Sequence, residues 1–183
     1  MNKSIFLDRD GIINKDINLL YQKKKVVILP KVKKTLKTLK DMGFLLIVVT
    51  NQPTVARGLI TEKGVEELNK YVNSKIDNLV DKFYFCPHHP NADVLKYRKM
   101  CDCRKPSPEL IFRAAKEFNI ELKKSWMIGD MYSDIVAGKN VGCKTILVKS
   151  PKNPTIIKGW KGYKVKKPDY KVNDISEILN IIK

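Results

Sequence analysis

The strongest constraint on the fold is a run of six consecutive apolar residues, 44–49, that follows a segment of helical periodicity. A strand that is apolar at every position needs cover on both faces, which is typical of a parallel sheet. The preceding segment, 31–42, has apolar residues at helical spacing and is followed by Gly43, a residue type that commonly ends helices. This alternation predicts an α/β fold: a three-layer, Rossmann-like parallel sheet with helices on both faces.

The same alternation extends along the rest of the chain. Further strands are predicted at 3–7, 82–85, 126–128 and 144–148, with an edge strand near 170–172. Further helices are predicted at 61–80, from Ser107 onward, at 133–139 and at 175–182, with Thr61 and Ser107 as caps. No repeat or linker interrupts this pattern. One domain is therefore predicted over residues 1–183, with no segment long enough to form a cap domain.

Size and composition indicate a globular protein. A chain of 183 residues with 43% apolar residues can bury a core, and no apolar run approaches the roughly 20 residues that cross a bilayer. Asp8 cuts the first apolar run short, so no signal peptide is expected. The expected compartment is the cytoplasm, where the four cysteines would be free thiols or metal ligands.

The formal net charge of +17 raises the question of a nucleic-acid or membrane partner. The excess comes from 31 lysines against 5 arginines, and the lysines are spread along the chain. Nucleic-acid binders favour arginine and interleaved aromatic residues. We therefore interpret the charge as a solvated lysine surface that also attracts a phosphorylated substrate. No nucleic acid or membrane is expected as a partner, and the chain is expected to be a monomer.

Polar side chains gather where the predicted strands end. They are Asp8, Asp10, Thr50, Asn51, Gln52 and Asp130, with Lys105 just before the helix that leads to the strand at 126–128. In parallel sheets, ligands bind at the carboxyl ends of the strands. Apolar strands that all end in polar groups on one side are difficult to explain by packing alone, so a site is predicted at this edge.

Asp8 and Asp10 are the most informative pair. Residues two apart in an extended segment point the same way, so both carboxylates are expected to face one space, with Arg9 pointing elsewhere. Both would be ionised at neutral pH only beside a cation, and Mg²⁺ prefers such oxygen ligands. An ordinary turn after a strand is the alternative for Asp-Arg-Asp-Gly alone. The presence of Asp130 and Asp134 favours the metal site.

A second cluster combines cysteine and histidine in the polar stretch 86–104. Three of the four cysteines and both histidines lie there, which argues against unrelated cytosolic thiols. Thiolate and imidazole ligands select zinc, and four protein ligands would make a closed, structural site. The predicted ligands are Cys86, His88, Cys101 and Cys103, with His89 as the rival to His88. Cys143 is expected to be a buried small residue.

Together these segments resemble the four motifs of the haloacid dehalogenase superfamily of phosphotransferases. The motifs are Asp8-Arg9-Asp10-Gly11, Thr50-Asn51-Gln52, Lys105, and Gly129-Asp130 with Asp134. The resemblance implies that Asp8 attacks phosphorus and that Asp10 is the general acid and base. It also implies that Thr50 and Lys105 hold the phosphoryl oxygens. Mg²⁺ would be bound by Asp8, Asp130 and the backbone carbonyl of Asp10, while Asp134 either assists the metal or caps a helix.

The cysteine loop, with Asn51-Gln52 and Ala56-Arg57-Gly58, resembles the D-glycero-D-manno-heptose-1,7-bisphosphate 7-phosphatases. That resemblance implies a cytoplasmic enzyme that removes the C7 phosphate on the route to nucleotide-activated heptose for cell-surface polysaccharide. It implies substrate contacts from Asp16, Asn18, Asn51, Gln52, Arg57 and Arg104. The chain departs from that family's pattern at 18–21, at Pro53-Thr54 and at Met131, and the first two departures concern substrate contacts.

Three alternatives remain open from the sequence. Histidinol-phosphate phosphatases form a sister group with nearly the same motifs. A nucleic-acid 3′-phosphatase would use a similar site and the positive charge. A non-catalytic binding module held by zinc would leave both aspartates of the first motif without a role.

Overall fold

A six-stranded parallel sheet forms the centre of the computed structural model, which describes residues 1–150, 164 and 166–183. Its strands are β1 (Ser4–Leu7), β2 (Leu45–Asn51), β3 (Lys82–Cys86), β4 (Trp126–Gly129), β5 (Lys144–Val148) and β6 (Tyr170–Val172). Their spatial order is β3-β2-β1-β4-β5-β6, and every pairing is parallel. The predicted three-layer, Rossmann-like fold is therefore confirmed, and β6 lies at the predicted edge.

Alternate residues of β2 belong to different layers of the core. Leu46 and Val48 pack in one cluster with Leu36, whereas Ile47 and Val49 pack in the cluster on the opposite face. Successive side chains of a strand point to opposite faces, so an unbroken apolar run is what a doubly covered strand requires.

Five α-helices flank the sheet in the described part of the chain. They are α1 (Val32–Asp41), α2 (Pro53–Ala56), α3 (Glu62–Ser74), α4 (Glu109–Glu117) and α5 (Tyr132–Asn140). Short 3-10 helices lie at Lys23–Lys25, Leu95–Tyr97, Leu122–Lys124 and Ile175–Asn180. No helix among the described residues combines the length and the apolar character that crossing a membrane would require.

The helix predicted at 61–80 begins as expected but ends six residues early. Thr61 accepts a hydrogen bond from the amide of Gly64, as a cap should. After Ser74 the chain turns through Asp77 and Asn78, both at positive φ. The side chain of Asn73 then bonds the amide and carbonyl of Val80, each at 3.0 Å, and closes this turn. The apolar spacing continued past Ser74, but the local hydrogen bonds decided where the helix ends.

Two smaller predictions about helix ends were also wrong. Ser107 does not cap α4: the cap position is Pro108, which has no side-chain oxygen to accept an amide hydrogen. The last predicted helix, at 175–182, is the shorter 3-10 helix Ile175–Asn180. Asp174 caps it, because its carboxylate accepts a hydrogen bond from the amide of Ser176.

The pairing register of β1, β2 and β4 places the carboxyl ends of these three strands at one edge of the sheet. Leu7 lies opposite Val48 on one side and Ile128 on the other. Asp8 and Asp130, which follow β1 and β4, and Thr50, near the end of β2, therefore lie at the same edge. Residues 8–31 contribute loop and the short helix Lys23–Lys25, so no inserted domain covers this edge within the described chain.

Gly43 provides a clean test of backbone conformation at the end of α1. Its φ is +82°, and a Cβ added there would meet no atom within 4 Å. Gly43→Ala should therefore destabilise the protein by conformational strain alone, by about 1–2 kcal/mol. Gly43→Asn should lose less because asparagine tolerates this region. Denaturant unfolding of both variants would measure this, and equal stability of all three proteins would contradict it.

Candidate active site and cysteine–histidine cluster

Lys105 lies at the centre of the polar edge, almost out of solvent. Its Nζ is 3.0 Å from Asp8 Oδ1 and 2.7 Å from Asp134 Oδ1, and it donates to the carbonyl of Val49 at 2.6 Å. Burial would lower the pKa of this lysine, but the carboxylates of Asp134 and Asp8 outweigh burial and raise it. Lys105 is therefore a fixed positive charge beside Asp8.

Three carboxylates share this place: Asp8, Asp130 and Asp134 each offer an oxygen within 4.8 Å of the others. Burial, with Lys105 opposing it, raises the pKa of Asp8 to about 6, and Asp134 and Asp10 contribute repulsion. Burial, followed by repulsion from Asp8 and Asp134, raises the pKa of Asp130 to about 8. The single positive charge of Lys105 does not neutralise three carboxylates, so this cluster keeps an excess of negative charge when all three are ionised.

The same cluster has the shape and chemistry of a divalent-cation site. Asp130 Oδ2 is buried and has no hydrogen-bond partner among the described residues. Oxygen ligands of this kind suit Mg²⁺, and a cation would favour the ionised carboxylates. The donor set therefore fits Mg²⁺.

Gly11 allows the loop after β1 to approach Asp130. A Cβ on Gly11 would overlap the Asp130 carboxylate, and the φ of +87° also favours glycine. The glycine of the first motif is thus required by close packing around the acidic cluster.

Asp134 has the second of the two roles that the sequence left open, because its side chain caps a helix. Its Oδ2 accepts a hydrogen bond from the amide of Met131 at 3.0 Å, which caps the start of α5. Its Oδ1 faces Lys105 within the acidic cluster. A capped helix end fixes this carboxylate in place.

Asp10 faces a different set of partners from those predicted. Arg9 does not point elsewhere: its Nη2 lies 2.9 Å from Asp10 Oδ2. Asn14 and Gln52 each donate to the same carboxylate at 2.8 Å. Burial opposes ionisation, but Arg9, followed by hydrogen bonds from Asn14 and Gln52, holds the pKa of Asp10 below its ordinary value. The expectation failed because the β1 pattern ends at Leu7, where the chain leaves the strand.

Thr50 lies at the end of β2 and is joined to Asp10 through Gln52. The Gln52 Nε2 group donates to Thr50 Oγ1 at 3.0 Å and to Asp10 Oδ2. Because Gln52 is 2% exposed, little of its surface is left for the substrate contact predicted from the resemblance.

Asn51 holds the main chain of Lys105. Its Oδ1 accepts from the Lys105 amide at 3.0 Å, and its Nδ2 donates to the Lys105 carbonyl at 3.1 Å. The end of β2 therefore positions the lysine across 54 residues of sequence.

The four predicted zinc ligands converge in the loop after β3. The Sγ atoms of Cys86, Cys101 and Cys103 lie 3.1–3.5 Å apart, and His88 Nδ1 is 3.3 Å from Cys103 Sγ. Tetrahedral zinc with Zn–S bonds of about 2.3 Å holds two sulfurs roughly 3.8 Å apart. The four side chains are therefore gathered closely enough for one ion to contact all of them after a small outward shift of the sulfurs. His89 is outside the group and accepts from the amide of Asn91.

Arg104 and Arg57 lie beside this cluster. Arg104 donates to the carbonyl of His88, and Arg57 donates to the carbonyl of Asn91 and pairs with Asp93. Burial, followed by these two arginines, lowers the pKa of His89. Arg104 of this loop and Arg57, which follows α2, thus place two guanidinium groups near the imidazole of His89.

Asp16 and Asn18 lie on the loop after β1. Asp16 Oδ1 accepts the amide of Asn18 at 2.7 Å, and Asn18 has a positive φ. Asp16 and Gly11 also line a cavity of about 720 Å³ that reaches Ser150 after β5.

Sequence reasoning missed Asn69 and Asn14. Asn69 is a buried polar residue on the apolar face of α3, where Leu68 and Val72 pack inward, and it bonds Arg9. An asparagine on an apolar stripe was the available signal. Asn14 offered no comparable signal because it lies in an irregular loop.

Comparison with known proteins gives consistent matches. A family model described as HAD-hydrolase-like matches residues 102–178. A D-glycero-beta-D-manno-heptose-1,7-bisphosphate 7-phosphatase from Haemophilus ducreyi is 37% identical, over 82% of this chain and 85% of the relative. A protein of the same name from Pasteurella multocida is 36% identical, over 100% of this chain and 98% of its own length.

Solved structures agree on the fold. A D,D-heptose 1,7-bisphosphate phosphatase from B. bronchiseptica, complexed with magnesium and phosphate, has a TM-score of 0.82 at 23% identity, covering 98% of this chain and 97% of that one. The corresponding protein from Burkholderia thailandensis has a TM-score of 0.67 at 21% identity, covering 100% and 99%.

The contacts of Asn51 generate a stability prediction. Asn51→Ala should cost about 1–3 kcal/mol, because two backbone groups of Lys105 lose their partner in a part-buried place. Asn51→Asp keeps the acceptor for the Lys105 amide but loses the donor, so it should fall between wild type and Asn51→Ala. Denaturant unfolding checks the order. Asn51→Ala with wild-type stability would show that these bonds contribute nothing.

Proposed function

Because this chain belongs to the family of D-glycero-beta-D-manno-heptose-1,7-bisphosphate 7-phosphatases, we propose that it removes the C7 phosphate of that heptose bisphosphate. The chain is a phosphoric monoester hydrolase with the haloacid dehalogenase-like fold. The proposed product enters the synthesis of nucleotide-activated heptose.

The observation that carries this proposal is the contact of Asp8 with the buried Lys105 amid three carboxylates. Phosphoryl transfer depends mainly on positioned charge. Asp8 supplies a carboxylate nucleophile, and Lys105 supplies a positive charge 3.0 Å away for the transferring oxygens.

The proposed reaction has two steps. Asp8 attacks phosphorus and forms an aspartyl phosphate as the P–O bond to the sugar breaks. Asp10, which is ionised in the free site, takes up a proton when the anionic phosphate binds beside it and gives that proton to the leaving sugar oxygen. Asp10 then takes a proton from water as that water attacks phosphorus, and the bond to Asp8 breaks. Thr50 and Lys105 hold the phosphoryl oxygens in both steps.

Mg²⁺ is the proposed cofactor. When bound, it neutralises charge on the phosphoryl group and keeps the carboxylates ionised. Asp8 and Asp130 would hold it, with the backbone carbonyl of Asp10. Asp134 stands close enough to contribute, but its contacts with Lys105 and Met131 favour a role in fixing the lysine.

Substrate recognition is proposed for the two loops that border the acidic cluster. Arg57 and Arg104, on the cysteine–histidine side, suit an anionic group. Asp16 and Asn18, on the side of the 720 Å³ cavity, suit sugar hydroxyls. Asn51 and Gln52 would act through Lys105 and Asp10.

The wider setting is proposed from composition. We propose that the chain is a cytoplasmic monomer, that residues 1–183 form one domain, and that neither nucleic acid nor a membrane is a partner. The lysine-rich charge supports attraction of a phosphorylated sugar.

Asp8→Asn tests the nucleophile. The variant should release no phosphate above background with Mg²⁺, because an amide cannot form the aspartyl phosphate. Asp41→Asn, on the exposed end of α1, is the matched control and should keep full activity. Phosphate release from heptose bisphosphate and from histidinol phosphate should be measured side by side. Turnover by Asp8→Asn would refute the mechanism, and higher catalytic efficiency on histidinol phosphate would refute the substrate.

We propose Zn²⁺ as the occupant of the cysteine–histidine cluster. Its contacts support a structural role, since Arg104 and Lys105 directly follow Cys103. His88→Ala should lose most bound zinc, while His89→Ala should keep about one ion per chain. Elemental analysis of the purified proteins measures both. Equal zinc in the two variants, or none in the wild type, would exclude this assignment.

A further inference from the structure

The geometry points to Arg9 as a positioning residue that holds the Asp10 carboxylate for proton transfer, an inference that rests on the proposed function. No role was assigned to Arg9 by the sequence. Its side chain is fully buried and is the largest such side chain in the described chain.

Arg9 grips both oxygens of Asp10. Its Nη2 donates to Oδ2 at 2.9 Å and to Oδ1 at 3.2 Å, and its Nε donates to Oδ1 at 3.3 Å. A planar guanidinium fixes the orientation of a carboxylate in a way that a lysine ammonium does not.

The guanidinium is itself fixed from behind by two elements. Its Nη1 donates to Asn69 Oδ1 on α3 at 2.8 Å, and its Nη2 donates to Gln52 Oε1 after β2 at 2.8 Å. Gln52 also donates to Asp10, so the network closes on the carboxylate. Taking an arginine out of water is costly, and the hydrogen bonds to Asn69 and Gln52, together with the charge of Asp10, offset that cost.

The carboxylate remains accessible while it is held. The Asp10 side chain is 22% exposed, whereas that of Arg9 is not exposed at all. Arg9 therefore cannot touch a substrate, and its effect on the reaction must pass through Asp10.

The two steps of the reaction respond differently to this role. An aryl phosphate such as p-nitrophenyl phosphate leaves as a stable anion, so formation of the aspartyl phosphate needs no proton from Asp10. Hydrolysis still needs Asp10 to take the proton of the attacking water, after which the bond between phosphorus and Asp8 breaks. Loss of Arg9 should therefore slow the second step selectively.

The test is a stopped-flow measurement of p-nitrophenol release with Mg²⁺, comparing wild type with Arg9→Met and Arg9→Lys. Both variants should release about one p-nitrophenol per active site at a rate within a few-fold of wild type. The following steady-state rate should fall by about 10- to 100-fold, the lower part of the range for general acid–base catalysis. Arg113→Met, an exposed arginine on α4, is the matched control and should leave both phases unchanged.

Asn69→Ala keeps Arg9 but removes the hydrogen bond between Arg9 and Asn69. It should also slow the steady-state rate but not the initial release of p-nitrophenol, with a smaller reduction than in the Arg9 variants. If circular dichroism shows that Arg9→Met does not fold, Arg9→Lys and Asn69→Ala decide the question. Equal slowing of both phases in a folded variant, or no slowing in either, overturns the positioning role. Absence of Mg²⁺-dependent turnover by the wild type would instead overturn the proposed function, and the inference with it.

Discussion

The rest of the site depends on the ion pairs of one buried lysine. Lys105 stands between Asp8 and Asp134, nearly without solvent, and its ammonium also donates to a carbonyl of β2. A buried charge is tolerated only with close partners, so each partner must be held as firmly as the lysine. Asp134 is held by the start of α5, and Asp8 by its place at the end of β1 between β2 and β4. The buried lysine therefore needs the carboxylates of Asp8 and Asp134 to balance its charge, and these carboxylates need the lysine for the same reason.

The cysteine–histidine loop extends this dependence outward. Cys103 precedes Arg104 and Lys105, so the position of the cysteine–histidine cluster also fixes the main chain that carries the lysine. Asn51 adds a second hold on the same main chain, and the carbonyl of Cys86 accepts the amide of Gln52. A loop with few apolar residues of its own is therefore tied to the ends of β2 and β3. This explains how an irregular segment can present a buried charge at a defined place.

A second network of hydrogen bonds holds Asp10 of the first motif. The buried Arg9 pairs with the partly exposed Asp10, and the other partners of Arg9 come from α3 and from the residue after β2. Alternation along a strand predicted that Arg9 would face away from Asp10, and this was wrong because the chain bends directly after Leu7. Side chains can fold back on a neighbour in a loop, whereas in a strand they cannot. The side-chain alternation of a strand therefore fails at Asp10, which is also the residue proposed for proton transfer.

The sequence by itself determined the α/β class, most strand positions and the convergence of polar residues on one edge, since these follow from apolar runs of fixed period and from parallel topology. It also identified four residues that the structure brings together in the cysteine–histidine cluster, because metal-binding chemistry is carried by residue type. Only the tertiary structure placed His88 rather than His89 beside the cysteines and ended α3 at Ser74. It alone showed that Asn51, Gln52 and Arg9 hold Lys105 and Asp10 in place. The physical reason is that these outcomes depend on hydrogen bonds between residues distant in sequence, and such bonds leave no periodic pattern in the chain.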